Sequence, residues 1–269
     1  MTGRISLPVM CLGILGFGIL YVPMAVMIVF SFNAGKLVSV WSGFSAKWYA
    51  SLLTNEQLLN AFGLSLFIAF WAATIATLFG MLIAIAFVRF GDFRGRLALS
   101  GLASAPLVMP EVVTGLSLLL LFIGMELVLG WPAGRGVDTI IIAHATFGMC
   151  FAAVVIQARL RDFDQAIEEA AYDLGARQPF VFFSVTLPVI LPAVIAAWLL
   201  AFTLSFDDLV IASFVSGPGS STLPILVFSK VRLGVTPEIN ALASVMIGIV
   251  AVSVITAAYV MRRRLGKTG

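Results

Sequence analysis

Residues 57–88 read QLLNAFGLSLFIAFWAATIATLFGMLIAIAFV, 32 consecutive residues without Asp, Glu, Lys or Arg, fenced by Glu56 and Arg89. A helix needs ~20 apolar residues to cross the hydrocarbon core of a bilayer. This stretch exceeds that length, and it is not alone. Residues 5–35, 139–158, 178–206 and 239–261 are equally free of charge, and 97–125 is interrupted only by Glu111. Over all 269 residues, 61% are apolar and 11% charged. A soluble domain carries roughly 45–50% apolar and about 25% charged residues. Soluble enzymes, disordered chains and nucleic-acid binders are excluded on that balance. The net charge of +3 does not restore a nucleic-acid reading, because the basic residues are scattered between membrane-length segments. Cys11 and Cys150 both lie inside apolar runs and imply neither a disulfide framework nor a metal site.

These runs predict an all-α polytopic membrane protein with six transmembrane helices, at about 8–31, 61–88, 98–128, 139–158, 189–210 and 241–261. The first run is too long for the roughly 7–15 residue core of a signal peptide and is read as a retained helix. The charge-free stretch 209–229 contains Gly217, Pro218, Gly219 and Pro224 and is expected to be a partly buried loop or short helix rather than a seventh span. With no internal repeat, residues 1–269 read as a single transmembrane domain. Orientation follows from Lys and Arg. One face collects Arg4, Arg89, Arg94, Arg96, Arg159, Arg161, Arg177, Arg262, Arg263, Arg264 and Lys267. The other holds Lys36, Lys47, Arg135, Lys230 and Arg232. Both termini are therefore expected in the cytoplasm, with 33–56 and 211–238 outside. Trp41, Trp48, Tyr49 and Trp131 suit the outer headgroup level.

The loop at about 159–189 is long and polar for so apolar a chain. Asp162 followed by Gln165 has the spacing of a capping box. A helix is expected through Ile167–Leu174, ended by Gly175, with Pro179 in the first turn of a second helix. Pro188 and Pro192 mark the passage into the fifth span. Ala170 and Ala171 keep the first helix thin, while Tyr172 and Leu174 give it apolar knobs, a shape suited to a partner's groove.

Glu169-Ala170-Ala171, three residues, Gly175, nine residues, then Val185-Thr186-Leu187-Pro188 resemble the EAA loop of ABC-importer permeases, with Val185 where isoleucine is usual. Further stretches resemble the polyamine importer permeases, most closely the smaller permease of putrescine systems. These are Ala105–Pro110, Ser205–Phe214, Gly217-Pro218-Gly219 and Pro237–Ala241. The resemblance covers nearly the whole chain. It implies a type I permease fold, a coupling loop in which Glu169, Ala170, Ala171, Leu174, Gly175, Leu187 and Pro188 meet an ATPase, and a bacterial inner-membrane location. The implied partners are a second homologous permease in a heterodimer, two cytoplasmic ATPase subunits and a periplasmic polyamine-binding protein. The chain's own nearest approach to a phosphate-binding loop, Gly266-Lys267-Thr268, has Met261 where the first glycine is needed. No cofactor is expected on this chain, ATP being bound by the partner.

Ionisable residues at membrane depth point to function. Glu111, after Pro106 and Pro110, and the pair Asp207-Asp208 fall at similar depth on spans that both run outward, and are candidates for the path of a small dication. One of the two aspartates is expected to face that path while the other pairs or caps; local satisfaction of all three carboxylates is the rival. Glu126 reads as interfacial and His144 as a packed, hydrogen-bonded residue or a proton relay. Tyr21, Trp71 and Trp198 read as cation-stacking or packing aromatics. Spermidine or another small cation is the alternative substrate. A polytopic membrane enzyme using Glu111, His144 and Asp207 is the alternative of a different class.

Overall fold

The structure, a computed structural model, describes residues 7–37 and 40–265. Arg4, both chain ends and the partial phosphate-loop match at 266–268 lie outside them. Among the described residues the chain is helical with a lone antiparallel bridge, Asn33 to Phe44. It packs as two units, one from residues 1–59 and 227–269, the other from 60–226.

Twelve helices follow in order: α1 Leu7–Phe30, α2 Lys47–Thr54, α3 Glu56–Arg89, α4 Arg96–Val108, α5 Glu111–Leu129, α6 Val137–Arg161, α7 Ala166–Asp173, α8 Gln178–Val181, α9 Leu187–Phe206, α10 Val210–Val215, α11 Leu223–Leu233 and α12 Pro237–Leu265. A π turn at Phe182–Thr186 fuses α8 to α9. Among the described residues, five stretches are long and apolar enough to cross a membrane: Val9–Phe30, Glu56–Arg89, Glu111–Leu129, Val137–Arg161 and Gln178–Phe206. The sixth predicted span falls on α12, 29 residues long, whose described apolar part is Pro237–Val252. At 1.5 Å per residue the 34-residue α3 is about 51 Å long, well beyond a ~30 Å hydrocarbon core, so it tilts or projects.

In the first unit α12 packs against α1 and α2. The segment after α1 is organised by Asn33, fully buried. Its amide donates to the carbonyls of Leu37 and Val40, and its oxygen accepts from the amides of Gly35 and Ser42.

In the second unit α6 is the central helix. Ile140, Ala143, His144, Cys150, Ala152 and Ile156 are all buried, and α4, α5, α9 and α10 pack around it. Small residues let the backbones close up, as helices in lipid require. Ala69, Ala73, Ala76, Gly80 and Ala84 line one face of α3. A Cβ at Gly80 would stand 2.7 Å from the Ala152 side chain and 2.8 Å from the Ala153 backbone nitrogen, and one at Gly148 would meet Ala76 at 3.2 Å.

Three expectations need correction. The third span, predicted at 98–128, is broken: α4 stops at Val108, Met109 is extended, and α5 starts after Pro110. Pro110 bars the α conformation at Met109 and cannot donate to the helix ladder. The fifth span, predicted at 189–210, begins within the fused helix from Gln178 and ends at Phe206. Asp207 and Asp208 therefore sit in a break between α9 and α10, not inside a helix. The capping box of Asp162 and Gln165 does not form. Asp162 closes α6, and Asp164 instead accepts the Ala166 amide at 3.0 Å. The stretch 209–229 is partly buried and split between α10 and the start of α11, as its glycines and prolines suggest.

Candidate coupling elbow and acidic break

The elbow begins with the eight-residue α7, none of whose residues is buried. Gly175 follows at φ +83°, a left-handed conformation that glycine adopts without steric cost. Its amide donates to the Tyr172 carbonyl at 2.8 Å and that of Ala176 to the Ala171 carbonyl at 3.1 Å. This pair of bonds is the Schellman closure, which satisfies the last carbonyls of the helix. Pro179 occupies the first turn of α8, as expected. The π turn then widens the helix just before Pro188, where a straight α ladder would press the proline ring on the carbonyl four residues back. The Leu187 amide reaches the Phe182 carbonyl instead.

Of the predicted coupling residues, Glu169, Ala170, Leu174, Gly175 and Pro188 are exposed, while Ala171 and Leu187 are half-buried. Leu174 is 90% exposed, an apolar knob with no cover from its own chain. Sequence reasoning missed what holds α7 from behind. Arg89 Nη2 lies 2.7 Å from Glu168 Oε1. The Thr186 hydroxyl donates to the same oxygen. The Arg89 guanidinium also lies 5.5 Å from the centre of the Phe163 ring. Arg89, Glu168 and Thr186 border a cavity of about 600 Å³ under the elbow. Arg89 and Glu168 are 79 positions apart, so no local spacing announces the pair.

At the break, Asp208 is bound on both sides. Oδ2 accepts the Ala212 amide at 2.7 Å and lies 3.1 Å from His144 Nε2, while Oδ1 faces the Ile211 amide at 3.4 Å. His144 Nδ1 lies 2.7 Å from Ser205 Oγ. With the ring hydrogen on Nε2 for the carboxylate, Nδ1 accepts the serine hydroxyl. His144 and Ser205 are buried, and the Asp208 side chain is 8% exposed. Asp208 is thus the residue that pairs and caps, which leaves Asp207 as the exposed neighbour closing α9. Its side chain makes no hydrogen bond to another described residue. Glu111 is exposed in the first turn of α5. One turn further on, Gly115 abuts α10, where a Cβ would meet Phe214 at 2.7 Å and the Ile211 backbone at 3.3 Å. Glu111 and the aspartate break therefore flank the same helix contact.

The remaining candidates lie away from the break. Trp198 donates to Thr74 at 3.1 Å and stacks on Phe202, and Trp71 meets Phe67 and Phe70 edge-on. Tyr21 stacks on Phe17. Glu126 borders a cavity of about 380 Å³ with Arg135 and Pro218.

Residues 76–268 match the family described as binding-protein-dependent transport system inner membrane component. The putrescine transport system permease protein PotI of Escherichia coli K12 is 56% identical over 93% of this chain and 89% of its own length. The spermidine/putrescine permease PotC of the same strain is 40% identical over 94% of each. Among solved structures, a bacterial ABC transporter that imports the acidic polysaccharide alginate superposes with a TM-score of 0.71 at 16% identity, covering 96% of this chain and 95% of that one. The MetNI methionine ABC transporter gives 0.58 at 15% identity over 82% and 98%. At such identities the likeness carries the fold alone. Chains of this kind are transport subunits, not enzymes, and the ATPase of their systems is a separate subunit. The chain belongs to the inner-membrane permease components of binding-protein-dependent ABC importers, with the type I permease fold.

Proposed function

We propose that this chain is the transmembrane permease subunit of an importer that carries polyamines, putrescine first among them, from the periplasm to the cytoplasm. The observation that carries this reading is the 56% identity to a putrescine permease across nearly the full chain. The 40% identity to a spermidine/putrescine permease keeps spermidine as the second substrate to be tested. The subunit pairs with a second homologous permease, receives substrate from a periplasmic polyamine-binding protein and rests on two cytoplasmic ATPase subunits that bind the ATP. Both of its termini face the cytoplasm, in keeping with the crowding of Lys and Arg on that side.

In this reading α7 seats in the ATPase through Glu169, Ala170, Ala171 and Leu174, and Gly175, Leu187 and Pro188 shape the elbow that carries its movement into α9. Asp207 and Glu111 act on the cation path. An unpaired charge at membrane depth is costly, and a carboxylate beside the path lowers that cost for a diamine. Too strong a trap would stop release, so one or two such groups suit a conduit. Asp208 belongs to the scaffold of the break. The test is uptake by proteoliposomes holding the full complex and ATP, with labelled putrescine or spermidine on the binding protein. Putrescine uptake above spermidine is the expected result. Transport of neither polyamine overturns the reading.

A further inference from the structure

The ion pair behind the elbow is separate from the exposed face of α7, since its two side chains join α3 to α7 within the chain. Arg89 is the last residue of α3, and Glu168 stands in the first turn of α7. Each charge complements the dipole of the helix end that carries it. The side chains are 20% and 14% exposed, so the pair is screened far less than a surface bridge. Thr186, in the π turn at the head of α9, donates to the same carboxylate oxygen. Phe163, just beyond α6, is 7% exposed and lies under the guanidinium. A single carboxylate oxygen thus ties α7 to both α3 and α9, and the guanidinium adds the end of α6. No residue of α7 is itself buried, so apolar packing contributes little to holding it.

We infer that Arg89 and Glu168 are positioning residues for energy coupling. Their clamp, with Thr186, fixes α7 against the ends of the core helices so that a push on the elbow moves α3 and α9 together. This inference rests on the importer reading above. Without the clamp, α7 remains able to seat in a partner, because the exposed face through Leu174 is untouched. What is lost is transmission: the elbow yields, and ATP is hydrolysed without substrate movement.

The test compares Arg89→Gln, Glu168→Gln and the swapped pair Arg89→Glu with Glu168→Arg in the full complex. Putrescine-loaded binding protein is supplied, and both uptake and ATP hydrolysis are measured. Each single variant is expected to assemble with its ATPase and to lose about fivefold or more in uptake per ATP hydrolysed. The swap is expected to recover a substantial part of that loss. A spin label at Asp173→Cys gives a readout that needs no substrate: its spectrum is expected to show faster motion in the single variants and to return toward wild type in the swap. Unchanged uptake per ATP together with unchanged label motion overturns the inference. So does failure of the single variants and the swap alike to assemble, which marks the pair as a general fold contact. A wild-type complex that moves no polyamine refutes the importer reading instead, while the label motion still decides the clamp.

Discussion

The elbow at 163–187 and the break at 205–212 are both interruptions of helix in the same unit, and they are built in opposite ways. The elbow presents α7 outward: Leu174 is exposed, no residue of α7 is buried, and the bend is made by the backbone of Gly175. The break turns inward: Ser205 and His144 are buried, the Asp208 side chain is nearly so, and the three satisfy one another and the start of α10. An exposed interruption with unsatisfied apolar surface is made for a partner. A buried one in which Ser205, His144 and Asp208 engage one another makes an irregular backbone tolerable at membrane depth. It also leaves Asp207 beside it without a side-chain partner among the described residues.

The largest effect that sharpens this contrast is expected at Asp208. Removing one member of a buried pair leaves the other uncompensated, at a cost of about 3 kcal/mol or more. Asp208→Ala and His144→Ala should each lower the thermal unfolding temperature of the complex in detergent and reduce assembled yield. Wild-type stability in both would mean the break is not held by this pair. Next is Leu174→Asp, which should abolish co-purification of the ATPase while the permease still inserts. Retained ATPase there removes the knob from the docking face. Asp207→Asn keeps shape and hydrogen bonding but loses charge. It is expected to cut putrescine uptake at least several-fold with assembly intact, and Glu111→Gln to behave likewise. If both transport at wild-type rates, the acidic path is wrong. The smallest change is Ser205→Ala, which removes one hydrogen bond to a buried ring and should cost about 1 kcal/mol in the same unfolding measurement.

The two regions were also unequally readable. The elbow is written in local signals: alanines on a thin helix, Gly175 where that helix must end, and Pro179 where another starts. Only its entry was misread, because Asp162 and Asp164 are both plausible caps and tertiary burial of Phe163 decides between them. The break carries no such punctuation. Between Pro192 and Gly217 there is neither glycine nor proline, so α9 reads as continuing past Phe206. What ends it is Asp208 binding His144, 64 positions away. A distant partner leaves no periodic trace, and the same holds for Arg89 and Glu168. The division of the third span at Pro110 was partly visible, since the proline is plain in the sequence. The long apolar runs on both sides, broken only by Glu111, hid the fact that it separates two helices.

The central claim is that the exposed elbow transmits the ATPase's movement. Gly175→Val tests it most directly. A Cβ at this position meets nothing within 4 Å, so the substitution acts through the backbone alone. A β-branched residue at φ +83° is strained by ~1–2 kcal/mol or more, enough to shift the end of α7. The variant should insert and pair with its partner permease normally, while ATPase retention and putrescine uptake fall together. A Gly175→Val complex that retains its ATPase and imports putrescine at the wild-type rate would contradict the claim.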